Sequence, residues 1–211
     1  GQEAKTAVPV LVDMLKDEDI GVQKAVASAL GSIGVVAIPT IIRAMESEYN
    51  TPFLLSDEML VTEAARKVFK KIGADAVPIL VEALKDNSVR CAAVYALGFL
   101  GKKAKVAIPA LMKALKDENA NVRRATIQTI VSIDRKSKNI GSVLVEVLKD
   151  KDSKVREEAV HLLDRIDPNN AVDILPAFVE ALKDDNVNVR RAAVHSRVIH
   201  MFHWESTLPI L

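Results

Sequence analysis

The sequence predicts an all-α fold, an α-solenoid of about six stacked helical hairpins, and three observations predict it. The tripeptide Leu-Lys-Asp recurs five times, beginning at Leu15, Leu84, Leu115, Leu148 and Leu182. A proline stands six residues before the leucine at Pro9, Pro78, Pro109 and Pro176, with Ser142 in that place before Leu148. Apolar residues make up 49% of the chain but aromatics only 4%, so the core must be built from Ala, Val, Leu and Ile. That mixture suits close-packed helices better than strands rich in aromatic and β-branched residues.

Each repeat reads as a helix A, a turn and a helix B. Proline opens helix A, where its missing N–H is harmless in the first turn. The same prolines would break strands. Asp and Asn after Leu-Lys make the turn and cap helix B. Helix B then begins with Val-Arg at Val89-Arg90, Val122-Arg123, Val155-Arg156 and Val189-Arg190, while Val22-Gln23 and Val61-Thr62 hold the place in the first two repeats. Within it Val122, Ala125, Thr126, Ile130 and Ile133 fall on one face, at the spacing of a buried stripe. Gly34, Gly73 and Gly101 close helix B and suit a left-handed C-cap. Pro39 opens a further repeat in which Met45-Glu46-Ser47 replaces the tripeptide. The hairpins therefore start near residues 9, 39, 78, 109, 142 and 176 of a single array covering 1–211. One hairpin cannot cover its own apolar face, but stacked neighbours cover each other's.

Both ends look open. Gly1 lies eight residues before Pro9, as Gly101 lies eight before Pro109, so it reads as the last residue of a preceding helix B. Thr207–Leu211 repeats the pattern around Pro176 and reads as the start of another helix A. Solenoids carry polar caps at their ends. The expectation is a fragment of a longer array, or ends covered by a partner or by self-association.

Two segments depart from the pattern. The second repeat is nine residues longer than the first between its proline and its valine, and the extra segment holds Tyr49, Phe53, Leu54 and Leu55 before Ser56 or Asp57 caps the next helix. Such an apolar loop either docks a partner or folds back over its own repeat. In the sixth repeat Arg197 and His200-Met201 replace the usual Leu and Ile-Gly, and His195, His200 and His203 cluster beside Phe202 and Trp204. His200 and His203 can share a helix face, but only Glu205 is near to extend a ligand set, so an altered packing surface is the better reading and no metal is expected.

The phrase Val89-Arg90-Cys91-Ala92-Ala93-Val94-Tyr95-Ala96-Leu97-Gly98 resembles helix B of the HEAT-like repeats named after phycobilisome lyases, and the resemblance covers almost the whole chain. It implies a right-handed superhelix whose B helices line the concave side. It implies that the repeated Arg bonds the inter-helix turn of an adjoining repeat, so Arg90, Arg123, Arg156 and Arg190 with Asp86, Asp117, Asp150 and Asp184 read as a ladder of exposed pairs that sets register. The first two repeats, with Gln23 and Thr62, lack that Arg and are expected to stack less regularly. The family includes bilin-lyase and chaperone-lyase subunits, which is the alternative to a plain interaction protein.

Little here carries chemistry. No histidine is followed by glutamate, so the paired ligands of the family's di-iron hydroxylases are missing. No phosphate loop or nucleophile elbow is present, and Cys91 reads as an inert small residue. As the only cysteine it forms no intrachain disulfide, which fits a reducing, cytoplasmic setting. The basic clusters at Arg66–Lys71 and Lys102–Lys105 are balanced elsewhere, with 29 basic and 28 acidic residues, so neither nucleic acid nor membrane is an expected partner. No apolar run of about 18 residues is expected.

What remains is the face of helix B opposite the buried one, about two, six and nine residues after the valine. It reads Lys24, Ser28, Gly31; Glu63, Lys67, Lys70; Cys91, Tyr95, Gly98; Arg124, Gln128, Val131; Glu157, His161, Asp164; and Arg191, His195, Val198. A stripe that changes at every repeat on a constant frame either meets water or binds another protein or peptide. Tyr95, with Phe99 and Arg124 near it, is the expected centre, since Tyr and Arg are enriched at binding hot spots. The expectation is a non-enzymatic scaffold without cofactor.

Overall fold

Proline sets where most A helices begin. In the computed structural model, which describes residues 2–49, 60–137, 139–166 and 175–196, the regular elements of the described residues are all helical. Phe53–Leu55, Ser56, Asp57, Arg197, His200, His203 and Thr207–Leu211 lie outside the described residues, as does the side chain of Tyr49.

The chain divides into two compact units, Gly1–Ala114 and Leu115–Leu211. The first holds α1 (Gln2–Asp13) and α2 (Ile20–Ile33), α3 (Ile38–Tyr49) and α4 (Leu60–Ile72), α5 (Val77–Ala83) and α6 (Arg90–Leu100), and α7 (Ile108–Ala114). The second holds α8 (Ala120–Asp134), α9 (Ile140–Val147), α10 (Ser153–Leu163), α11 (Leu175–Leu182) and α12 (Val187–His195). Pro39, Pro78, Pro109 and Pro176 are each the second residue of an A helix. Pro9 is the exception: α1 already begins at Gln2 and carries the proline inside it.

In the first unit α2 packs on α4 and α4 on α6, while α1 packs on α3. In the second α8 packs on α10 and α10 on α12. Hairpins thus lie side by side in chain order within each unit, and the chain is an all-α solenoid of repeats. Leu30, Ile41, Phe69, Leu80 and Leu97 are fully buried in the first unit, and Ile127, Leu144 and Phe178 in the second. Truncating one such residue to alanine costs ~2–5 kcal/mol. The predicted face of α8, Val122, Ala125, Thr126, Ile130 and Ile133, is buried throughout. Thr126 is tolerated there because its Oγ1 donates to the Val122 carbonyl at 2.7 Å.

One expectation fails. Residues 25–42 carry no charge, and the stretch 20–48 is long and apolar enough to cross a membrane by length and composition alone. In the structure a 3-10 turn at Gly34–Ala37 interrupts it, separating helix B of one repeat from helix A of the next. Val26, Leu30, Ile38 and Ile41 of this stretch are in the core, while Ile20 and Val36 are exposed. The run is apolar because two core-facing helices meet there.

Gly34 and Gly101 do have positive φ, 79° and 54°, but their ψ values of −146° and −132° are not those of a left-handed helical cap. They turn the chain into a 3-10 segment instead, in a region that only glycine enters without strain.

The inter-helix turn is one motif used five times. The tripeptide Asp accepts from the backbone N–H two residues on, Asp19 to Asp17, Ser88 to Asp86, Asn119 to Asp117, Asp152 to Asp150 and Asn186 to Asp184, at 2.8–2.9 Å. The residue so positioned then caps helix B: Asp19, Asn119, Asp152 and Asn186 each accept from an N–H of the first turn. Such a cap contributes ~1 kcal/mol.

The ladder is present but its described rungs are not exposed. Arg123 donates from Nε and Nη2 to both oxygens of Asp150, each at 2.7 Å, and from Nη1 to the carbonyls of Asp117 and Glu118 in its own turn. Arg156 repeats this with Asp184, at 2.7 Å from each nitrogen, and adds Asp185 at 2.7 Å. The side chains of Arg123 and Asp150 are 5% and 12% exposed, those of Arg156 and Asp184 13% and 10%. The correction follows from the fork geometry: satisfying own-turn carbonyls and a neighbour's carboxylate draws the guanidinium between repeats. Arg156 and the Asn186 N–H hold the Asp184 carboxyl down at about 2. Burial pushes Asp150 up, but Arg123 and the Asp152 N–H outweigh it and leave the carboxyl below its ordinary value.

The first two repeats use substitutes. Gln23 donates from Nε2 to the Asp17 carbonyl at 2.8 Å, the own-turn bond that Arg makes elsewhere. In the second repeat Glu48 accepts from the N–H groups of Val61 and Thr62 and from Thr62 Oγ1, at 2.9, 3.0 and 2.7 Å, at the N-terminus of α4. Glu46 reaches the next repeat and accepts from the Ala92 N–H at 2.8 Å, in the first turn of α6. A carboxylate at a helix N-terminus meets unsatisfied donors and the positive end of the dipole. Burial nonetheless raises the Glu46 carboxyl above its ordinary value despite that bond.

Candidate functional site

A residue two, six or nine places after the buried valine of a B helix points away from the core, and most of the predicted stripe does. In the first unit Lys24, Ser28, Glu63, Lys67 and Lys70 are exposed, and Tyr95 and Gly98 are half-buried. In the second, His161, Arg191 and His195 are exposed, while Arg124, Gln128, Glu157 and Asp164 are half-buried.

Three positions depart. Cys91 is buried, 7% exposed, because α3 packs over the start of α6 and Glu46 binds the neighbouring Ala92 N–H. It is not a surface residue of the stripe. Gly31 is buried under the stem of Lys71: a Cβ there would stand 2.6 Å from Lys71 Cδ and 3.0 Å from its Cβ. Val131, 1% exposed, joins the core of α8.

Phe99 is half-buried and already engaged. Its ring tilts at 42° against Phe69, centroids 6.4 Å apart, and the Arg66 guanidinium lies 4.9 Å over its face. Arg66 also pairs with Glu63 at 3.1 Å. The group ties α4 to α6 by aromatic and cation–π attraction and is not an open anchor. Tyr95 belongs to the first unit and Arg124 to the second. Arg124 Nε is buried and finds no hydrogen-bond partner among the described residues. His195 Nδ1 lies 2.8 Å from the Arg191 carbonyl, and Asp164 accepts from Ser196 Oγ at 2.7 Å, fastening α10 to the end of α12. Among the described residues no three His, Cys, Asp or Glu side chains gather as metal ligands would.

Two features escaped the sequence reading. Lys71 Nζ donates to the Ser28 carbonyl at 2.9 Å and to the hydroxyls of Ser28 and Ser32 at 3.1 and 2.9 Å, clamping α4 to α2. The signal was the one-turn spacing of Ser28 and Ser32 opposite that of Lys67 and Lys71. The other is the Arg66–Phe69–Phe99 group, whose helical spacing gives no hint of which neighbour it meets.

The family model described as HEAT repeats matches residues 56–130 and 141–197, more than half of the chain. The armadillo/beta-catenin-like repeat matches residues 6–34. No curated protein matches the chain in sequence. Among solved structures, computationally designed armadillo repeat proteins for modular peptide recognition align with a TM-score of 0.53 at 18% identity, over 92% of this chain and 99% of that one. An engineered protein aligns with a TM-score of 0.50 at 21% identity, over 90% and 94%. Likeness at such identity shows the fold alone. The complex of CpcE and CpcF of phycocyanin lyase from Nostoc sp. aligns over 91% of this chain and 98% of that one at 18% identity, but with a TM-score of 0.32, which carries no argument about activity.

Proposed function

The chain belongs to the HEAT repeat family, and we propose that it works in the cytoplasm as a non-enzymatic scaffold that binds another protein or peptide along the outward stripe of its B helices. One observation carries this reading. The buried positions of the B helices are mostly Val, Ala, Leu or Ile, with Phe69 and Thr126 among the exceptions, while the outward ones pass from Lys24 and Lys67 to Tyr95, Gln128, His161 and Arg191. Packing alone would leave such a face free to drift toward any polar residue. A half-buried tyrosine and a half-buried arginine among the outward positions supply the large, semi-rigid side chains that dominate binding energy at interfaces. The designed armadillo proteins of like fold were made for modular peptide recognition, a use of the same architecture.

The test is site-specific photo-crosslinking in cell extract. A crosslinker in place of Tyr95, Gln128 or His161 should trap protein partners. One in place of Glu82 on α5 or Glu146 on α9, exposed residues of A helices, should not. Equal trapping from both sets would refute the face, and trapping from the A helices alone would move it.

A further inference from the structure

In the second unit the outward face of the B helices carries a row of alternating charge, Arg124 on α8, Glu157 on α10 and Arg191 on α12. We infer that this row holds a segment of a partner protein in polyproline II conformation, with an acid, a base and an acid at every third place. This rests on the reading that the B-helix face binds protein, and it names that partner's chemistry. Each of the three stands two residues after a buried valine, Val122, Val155 or Val189, which is the third residue of its helix. α8 packs on α10 and α10 on α12. The step between hairpins is the same both times, since Arg123 grips Asp150 and Arg156 grips Asp184 with the same pair of 2.7 Å bonds. Equivalent positions therefore come level across the three helices, and the sign runs plus, minus, plus.

Arg124 points to a ligand. It is half-buried, and its Nε is closed off from water with no acceptor among the described residues. Arg123 beside it is buried too but donates to both oxygens of Asp150 and to two carbonyls of its own turn. The fold thus supplies acceptors to one arginine and none to the next. A covered stem also fixes the guanidinium fork before a ligand arrives, which lowers the ordering cost of binding. Glu157 is half-buried and Arg191 exposed, and among the described residues neither side chain makes an ion pair or a hydrogen bond. Gln128, one turn on from Arg124, is half-buried and equally unbonded.

Spacing selects the conformation of the occupant. Packed helices stand ~8–10 Å apart. A β-extended segment turns alternate residues to opposite faces, so its same-face side chains come about 6.6 Å or about 13 Å apart and match neither step. A polyproline II helix returns to the same face at about every third residue, after ~9 Å, which matches one helix step. Its main chain makes no internal hydrogen bonds, so a carbonyl is free for the Gln128 amide. Alternating sign argues against nucleic acid, whose unbroken row of phosphates would meet Glu157.

The test is a nuclear magnetic resonance titration of the isotope-labelled chain at about 20 mM salt, where exposed charges are little screened. One peptide is Glu-Pro-Pro-Lys-Pro-Pro-Glu. The other, Glu-Pro-Lys-Pro-Glu-Pro-Pro, has the same residues with the charges at every second place. The first should bind about tenfold or more tightly than the second and should shift the Arg124 Nε–H signal. Glu157→Lys should weaken the first peptide about tenfold and favour Glu-Pro-Pro-Glu-Pro-Pro-Glu instead. Arg191→Glu, at an exposed place, should move the preference to Glu-Pro-Pro-Lys-Pro-Pro-Lys and carries the test if Glu157→Lys does not fold by circular dichroism. Glu146→Lys on α9 should change nothing. Equal affinity for the two charge orders, no binding, or variants that weaken binding without exchanging the preference would overturn the inference. Should both peptides fail while crosslinkers at Gln128 and His161 still trap protein, the occupant is wrong and the broader reading stands. Loss of both removes the face itself.

Discussion

Replacing Asp184 with asparagine tests whether the rungs between repeats act as buried pairs. The carboxyl lies at about 2 in the fold against an ordinary 3.8, chiefly through its hydrogen bonds with Arg156. A gap of that size corresponds to ~2 kcal/mol of stability. With 10% and 13% of the two side chains exposed, solvent screens little of it. The sign is fixed by the direction of the shift. A carboxyl depressed on folding stabilises above its unfolded value, and that contribution disappears as pH falls through the folded one. Asp184→Asn keeps an oxygen to accept from the Asn186 N–H and leaves Arg156 its bonds to Asp150 and Lys151 carbonyls and to Asp185. The charge is removed, and an amide NH2 takes the place of the oxygen that accepts from Arg156 Nε, as a protonated carboxyl would put its O–H there. Urea unfolding followed by far-ultraviolet circular dichroism should place the variant ~2 kcal/mol below wild type near pH 7, with the gap closing between about pH 4 and about pH 2. A gap under ~0.5 kcal/mol near neutrality, or one that does not shrink in acid, would mean the pair behaves as an exposed one and the reasoning fails.

Three further outcomes follow from the first unit. Glu46 is raised by burial, so its ionised form weighs against the fold and its contribution falls as pH rises through the folded value; Glu46→Gln keeps an acceptor for the Ala92 N–H and should raise the melting temperature near pH 7 but not near pH 4. Glu46→Ala, which orphans that N–H, should lower it by the equivalent of ~1–2 kcal/mol. Gly31→Ala should destabilise by displacing the Lys71 stem, whereas in a Lys71→Ala background it should stabilise by ~0.5–1 kcal/mol through helix propensity; the same sign in both backgrounds would exclude the clamp.

The repeat was legible because its determinants are local. A proline's missing N–H, an Asp that bonds two residues ahead and an apolar residue every third or fourth place act within one hairpin, and each is visible in one stretch of chain. The prediction went wrong where the deciding neighbour comes from another repeat. Cys91 occupies an outward place by count, yet α3 covers it. Gly31 reads as a bare patch until Lys71, 40 residues on, lies across it. The rungs implied by the family resemblance were expected to be exposed, but the guanidinium's several donors draw it inward. The uncharged stretch at 25–42 runs through the repeat boundary at Gly34, so two short core-facing helices add up to a run that neither has alone.

Asp150 and Asp184 each close their own turn and also receive the arginine of the hairpin before, so one short phrase is both plug and socket. A hairpin cut out at that phrase leaves an arginine facing an equivalent aspartate, and a hairpin inserted there finds both halves of the joint waiting. Duplication and deletion by whole repeats are thus mechanically cheap in this stretch. The hairpin joined through Glu46 and Glu48 speaks a different dialect, and exchange across it would leave a donor without its match. The joint that tolerates a whole-repeat exchange is thus the arginine–aspartate one, at Arg123–Asp150 and Arg156–Asp184, and not the glutamate one at α3 and α4.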